Sequence, residues 1–125
     1  MNANTELSGI GQISRTVGDT EVSQGWYASV LSLPHLFTFG KLSFFECGGT
    51  RLMLTSEHGA RPDESILYFR VQDIRATHAE LSAKGVEFVG APHVVHRHGD
   101  GTEEWMAFFK DPDARILALM SQVKP

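Results

Sequence analysis

Three histidines and two glutamates stand close together in the second half of the chain: His93, His96, His98, Glu103 and Glu104. Imidazoles and a carboxylate suit two chemistries, holding a divalent metal or passing a proton. In an extended segment His96 and His98 project to one face, and His93 faces away unless a bulge intervenes. A turn through Gly99-Asp100-Gly101 would bring one glutamate opposite that pair, because neighbouring strands set paired side chains about 5 Å apart. An exposed sheet edge is the competing account, since Arg97 and a Gly-Asp-Gly turn border the histidines. Tyr68 and Arg70 share one strand parity with Ile66. The phenol is a candidate proton carrier, and the planar guanidinium is a fork for an anion unless it only reaches solvent. Cys47 sits beside Gly48-Gly49 with no base near it in sequence, which points to a buried structural thiol.

Composition excludes several other functions. The chain has 125 residues, one domain's length, with 42% hydrophobic and 21% charged residues. Eleven basic against fifteen acidic residues give a net charge of −4, and no Lys/Arg run is present to neutralise phosphates, so nucleic acid is not an expected partner. No apolar run approaches the roughly 20 residues of a membrane span. The opening Met1-Asn2-Ala3-Asn4-Thr5-Glu6 lacks a basic-then-apolar leader pattern. One cysteine permits no internal disulfide, and a reducing, cytoplasmic setting is the expectation.

The elements that would carry these side chains repeat. Ile10–Asp19 and Glu64–Asp73 are both strand-like and both end in Val-x-Asp, at an offset of 54 positions (71 minus 17). Each runs into a helical pattern. Val22, Trp26 and Val30, widened by Tyr27 and Leu31, form the first apolar stripe; Ile74, Thr77, His78 and Leu81 form the second. Asp19 and Asp73 are the natural N-caps, and Gly85 stands where a C-terminal glycine belongs. Strand-like runs follow each helix: 36–39, 41–47 and 51–55 in the first half, then 86–89, 93–98, 103–109 and 116–120 in the second. A single α+β domain over 1–125 is expected, with module one at about 8–56, a linker at about 57–63 and module two at about 64–122. A lone module with one helix would have a marginal core.

These residues resemble the vicinal-oxygen-chelate superfamily of glyoxalase I, methylmalonyl-CoA epimerase, extradiol dioxygenases and bleomycin-resistance proteins. Trp26-Tyr27-Ala28-Ser29-Val30-Leu31-Ser32-Leu33-Pro34 and Phe108-Phe109-Lys110-Asp111-Pro112-Asp113 carry the likeness, with the Val-x-Asp entry to each helix. The resemblance implies two βαβββ modules forming a curled mixed sheet around a shared cleft. It also implies up to four metal-ligand positions there, which fall on Gln12, Met53, Ile66 and Ala118. Only Gln12 is a ligand the family uses. Isoleucine and alanine offer no donor, and a thioether suits Cu(I) better than Zn, Ni or Mn. Two departures from the pattern stand out. Ala114 replaces the glycine that ends the Asp-Pro-Asp turn, which costs about 1–2 kcal/mol if the turn keeps its shape. Arg15 takes the helix-facing parity where module two has Phe69, leaving it to snorkel past Trp26 or to pair with Glu21.

The expected function is therefore that of a glyoxalase/bleomycin-resistance-like protein with a degenerate metal site. It would bind a small, partly aromatic molecule in the inter-module cleft, on Gln12, Met53, Ile66, Arg70, Trp105 and Ala118, with Met120 as further apolar surface. The alternative is a glyoxalase-type lyase, isomerase or epimerase acting on a small carbonyl substrate. That enzyme would use Glu104, His96 or Tyr68 catalytically, with no metal or with a divalent Zn, Ni or Mn on non-standard ligands such as His96 and His98. A homodimer is the expected assembly, since open sheet edges invite pairing.

Overall fold

Asp19 and Asp73 open the two helices in the same way. In the computed structural model, which describes residues 5–125, both have extended backbones. The side chain of Asp19 accepts the Val22 N–H at 3.1 Å, and that of Asp73 accepts the Ala76 N–H at 3.0 Å. Each bond satisfies an orphan donor of the first turn and stabilises its helix by about 1 kcal/mol. The helices are α1 (Thr20–Ser29) and α2 (Ile74–Ala83). Gly85, at φ +90°, ends α2, and the Val86 N–H returns to the Leu81 carbonyl at 3.0 Å. Among the described residues no helix is long and apolar enough to cross a membrane. Met1–Asn4, most of the segment read for a leader pattern, lies outside the described residues.

With α1 stand β1 (Gln12–Thr16), β2 (His35–Phe39), β3 (Leu42–Cys47) and β4 (Thr50–Thr55). With α2 stand β5 (Tyr68–Arg70), β6 (His93–Arg97), β7 (Glu103–Lys110) and β8 (Ile116–Val123). Each set forms a mixed four-stranded sheet with one shared order, β1-β4-β3-β2 and β5-β8-β7-β6. In both, the first strand runs parallel to the last and the other pairs are antiparallel. The fold is thus α+β, built from two βαβββ modules. The chain divides into two compact units, Met1–Ala60 and Arg61–Pro125, with one module in each.

In the first unit, Val17, Phe45, Leu52 and Leu54 are buried on the helix-bearing side of the sheet, and the Tyr27 ring lies 6.1 Å from that of Phe45. The face that α1 buries differs from the apolar stripe in its sequence. Thr20, Ser23 and Tyr27 are buried, whereas Val22 is 58% exposed. Small residues let the helix sit close to the sheet, and the Thr20 hydroxyl is tied there, donating to the Lys41 carbonyl at 2.7 Å with Ser56 Oγ at 2.6 Å. Arg15 does not snorkel to solvent: it is 2% exposed, beside its register partner Leu54.

In the second unit, Ala107, Phe109, Leu117 and Leu119 are buried on the sheet and Ile74 and Leu81 on the helix, as the α2 pattern predicts. Residues 86–89 are not the separate strand expected of them. Phe88 bridges Phe109, the Val89 N–H donates to the Phe108 carbonyl at 2.8 Å, and the Lys110 N–H donates to the Glu87 carbonyl at 3.0 Å. Gly90-Ala91-Pro92 then interrupts the ladder, since proline has no N–H to continue it, and β6 resumes beside the same β7. In the turn between β7 and β8, Ala114 adopts φ +61°, in the left-handed region that favours glycine.

Candidate binding face

Alternation along the strands assigns each side chain to the face its helix covers or to the opposite, helix-free face. In the second unit, register places three rows on the helix-free face. Tyr68, Ala118 and Phe108 form one across β5, β8 and β7; Arg70, Met120 and Met106 form the next, extended by His93 of β6. Gln122, Glu104 and His96 form the third. The Tyr68 and Phe108 rings meet edge to face at 6.1 Å, and His93 lies 6.4 Å from Phe108. Ala118 is fully buried, while Tyr68 is 45% exposed.

A register shift between Val94 and His96 sets His93 and His96 on one face, the bulge needed for them to share it. Glu104 Oε2 is the centre of the polar row. It lies 2.7 Å from His98 Nε2 and accepts from Gln122 Nε2 at 2.7 Å. The bond to His98, then that to Gln122, hold the Glu104 carboxyl below the usual glutamate range. The His96 ring stands edge-on to His98 at 4.6 Å. A polar recess of about 320 Å³ opens beside them, lined by His98, Gly99, Asp100, Thr102, Gln122 and Lys124. Glu103 faces the other way. It is held by Arg97 and accepts from Trp105 Nε1 at 3.1 Å, and its carboxyl is likewise pulled down, by Arg97 first.

Trp105 does not join Met120 on the helix-free face. It pairs in register with Val94 and Ser121, shares the face of Ala107 and Phe109, and carries Arg75 of α2 over its ring at 4.8 Å. Ile66 precedes β5 and is 38% exposed.

In the first unit, the helix-free face carries Gln12, Arg51, Met53, Phe44 and Phe37. Phe37 and Phe44 stack at 4.3 Å. Gln12 Nε2 donates to Met53 Sδ at 3.8 Å, and Gln12 Oε1 accepts from Arg51 Nε at 2.7 Å.

The donor set at the family's metal positions does not suit a divalent ion. The one oxygen donor, Gln12 Oε1, is engaged by a guanidinium; Met53 presents a thioether; Ile66 and Ala118 present hydrocarbon. Among the described residues no three His, Cys, Asp or Glu side chains gather as metal ligands would. Sequence patterning missed Arg51 and Gln122, although strand parity with Met53 and with Ala118 and Met120 would have found them.

A family model, the Glyoxalase/Bleomycin resistance protein/Dioxygenase superfamily, matches residues 9–117. The uncharacterized protein YraH of Bacillus subtilis (strain 168) is 26% identical over 127 residues, covering 86% of this chain and 94% of that one. Among solved structures, virulence protein STM3117 of Salmonella typhimurium superposes with a TM-score of 0.77 at 18% identity, covering 95% of this chain and 100% of that one. Lactoylglutathione lyase of Agrobacterium tumefaciens superposes with a TM-score of 0.69 at 17% identity, covering 92% and 94%. At such identities the structural likeness establishes the fold alone.

Proposed function

This chain belongs to the glyoxalase/bleomycin resistance protein/dioxygenase superfamily, and from that premise we propose that it binds a small, partly aromatic molecule on the helix-free face of the sheet in its second unit, without a divalent metal. The row Tyr68–Ala118–Phe108 carries the proposal. There an alanine takes the place of a metal ligand, and aromatic rings flank it on both neighbouring strands. Met106 and Met120 extend this surface with thioethers that adapt to a flat ligand, while Arg70 and the Glu104–His98 pair supply polar contacts at its border.

Thermal-shift and fluorescence titrations with neutral aromatic ligands, each with and without Zn, Ni and Mn, test this. Aromatic ligands should stabilise the protein with no metal present, and Phe108→Ala should weaken binding by about tenfold. Stabilisation that requires a metal would overturn the metal-free proposal.

One observation favours a second activity, a glyoxalase-type lyase or isomerase working without metal. A carboxylate hydrogen-bonded to an imidazole, on the face that carries Tyr68, is a competent proton-transfer pair. The double variant His96→Ala, His98→Ala should then abolish turnover of enolisable carbonyl substrates, and unchanged turnover would remove the pair from consideration. The protein is further taken to be a cytoplasmic homodimer. Exposed Leu36 and Phe39 on edge strand β2, and Val94 and Val95 on edge strand β6, support self-association, which light scattering would check.

A further inference from the structure

The family's remaining ligand residue, Gln12, has been turned to a different use. Its amide oxygen accepts from Arg51 Nε at 2.7 Å, and Arg51 Cζ lies 5.1 Å from the centroid of the Phe44 ring. One edge of the guanidinium is therefore fixed by a hydrogen bond, and the ring holds the group by cation–π attraction. Neither contact uses the two terminal nitrogens, Nη1 and Nη2. Among the described residues no carboxylate pairs with them. Glu46, the register partner of Arg51 on β3, is turned to the adjacent β-turn, where its Oε2 accepts the Gly49 N–H at 3.0 Å. Arg51 itself is exposed, so a ligand can reach it.

We propose that Arg51 is an anion-binding residue that takes the carboxylate of a small aromatic acid, with Gln12 positioning its fork. A protein cation thus stands beside the oxygen that a metal ion would otherwise claim. A positioned guanidinium offers two parallel N–H donors to a planar carboxylate, a geometry an ammonium or a metal-free carboxamide lacks. The stacked Phe37–Phe44 pair and the Met53 thioether supply the apolar surface for the ring of the acid. This site lies on the first unit's sheet and goes beyond the proposal carried by the Tyr68–Ala118–Phe108 row; only its aromatic half rests on that reading.

The test is an NMR titration with acetate, benzoate and benzamide, following the Arg51 Nε–H resonance in the wild-type protein and affinity in the wild type, Arg51→Gln and Arg75→Gln. Benzoate should shift the Arg51 resonance and bind about tenfold more tightly than benzamide, its neutral counterpart of similar shape. That advantage should vanish in Arg51→Gln, persist in Arg75→Gln, whose arginine is exposed on α2 away from the helix-free faces, and shrink as salt is added. An advantage retained in Arg51→Gln, lost instead in Arg75→Gln, or absent from the wild type would overturn the assignment. If acetate moves the Arg51 resonance but neither aromatic binds better than acetate, the anion site stands and aromatic recognition fails. If benzamide binds as well as benzoate, aromatic recognition stands and the anion site fails; if none of the three binds, both fail. Because Arg51 is exposed, the amide fingerprint of Arg51→Gln should match that of the wild type and exclude misfolding as a cause.

Discussion

Asp111 holds Arg115 twice: Oδ1 accepts the Arg115 backbone N–H at 2.9 Å, and Oδ2 lies 3.2 Å from Arg115 Nη2. The same Oδ1 accepts the Asp113 N–H at 2.8 Å, while Arg115 Nη1 reaches Glu64 Oε1 at 3.0 Å and donates to the Arg61 carbonyl at 3.1 Å. Arg115 thus pairs with Asp111 and Asp113 within the turn between β7 and β8 and, through Glu64, ties that turn to the segment that leads into β5. The side chains of Arg115 and Asp111 are only 8% and 1% exposed, and removing Asp111 takes the acceptor from two backbone N–H groups, while Arg115 keeps Glu64 at 3.0 Å and Asp113 at 3.7 Å. Asp111→Ala should cost about 1–3 kcal/mol, read as a lower urea midpoint at unchanged slope. A loss below about 1 kcal/mol would show that the turn does not depend on the pair.

Ala114 sits in the same turn at φ +61°. A left-handed conformation costs an L-residue about 1–2 kcal/mol, and glycine avoids that cost. Ala114→Gly also frees the unfolded chain, which returns about 0.4–1 kcal/mol of the gain. The net expectation is a stabilisation of about 1 kcal/mol, or roughly 4 °C in Tm by calorimetry. A destabilised variant would mean that the alanine methyl makes a packing contribution larger than the strain.

The sequence made the architecture legible through punctuation more than through hydrophobic period. Asp19, Asp73 and Gly85 each occupy the cap position their chemistry predicts, because capping is local and depends on few neighbours. The buried face of α1 was not legible. Its apolar stripe named Val22, but tertiary hydrogen bonding of Thr20 decided which side faces the sheet. On the site, the resemblance assigned Met53 and Ala118, and parity with Ile66 assigned Tyr68 and Arg70, to the faces that prove helix-free, but neither established that Trp105 lies on the other one. The placement of His93 with His96 hung on a bulge, and the sequence marks neither its position nor its existence.

Glu104 gives the stability curve a definite sign. Its folded carboxyl lies below the usual glutamate range because His98 and Gln122 hydrogen-bond it, in that order of effect. A depressed folded value means the contribution is complete above the unfolded glutamate range and is lost as pH falls through the folded value. Urea midpoints of wild type and Glu104→Gln, compared from about pH 6 down to about pH 3, should converge as acid removes the wild-type advantage. A gap that stays constant across that window would assign the effect to packing and not to the carboxylate charge.

Cys47 supplies the converse case, a group pushed away from its charged form. Partial burial, and after it the neighbouring Glu46 carboxylate, raise its thiol above the ordinary cysteine value. Both causes act on the thiolate, which is the reactive species toward alkylating reagents. At about pH 8, iodoacetamide should modify Cys47 in the native protein more slowly than in the urea-unfolded chain, where the thiol returns to its free value. Glu46→Gln should recover part of the difference, because it removes the repelling charge and leaves the burial in place. That variant also weakens the carboxylate acceptor for the Gly49 N–H, so its amide fingerprint around the β3–β4 turn must be compared with that of the wild type. Native alkylation as fast as unfolded alkylation would show that the thiol is neither desolvated nor repelled.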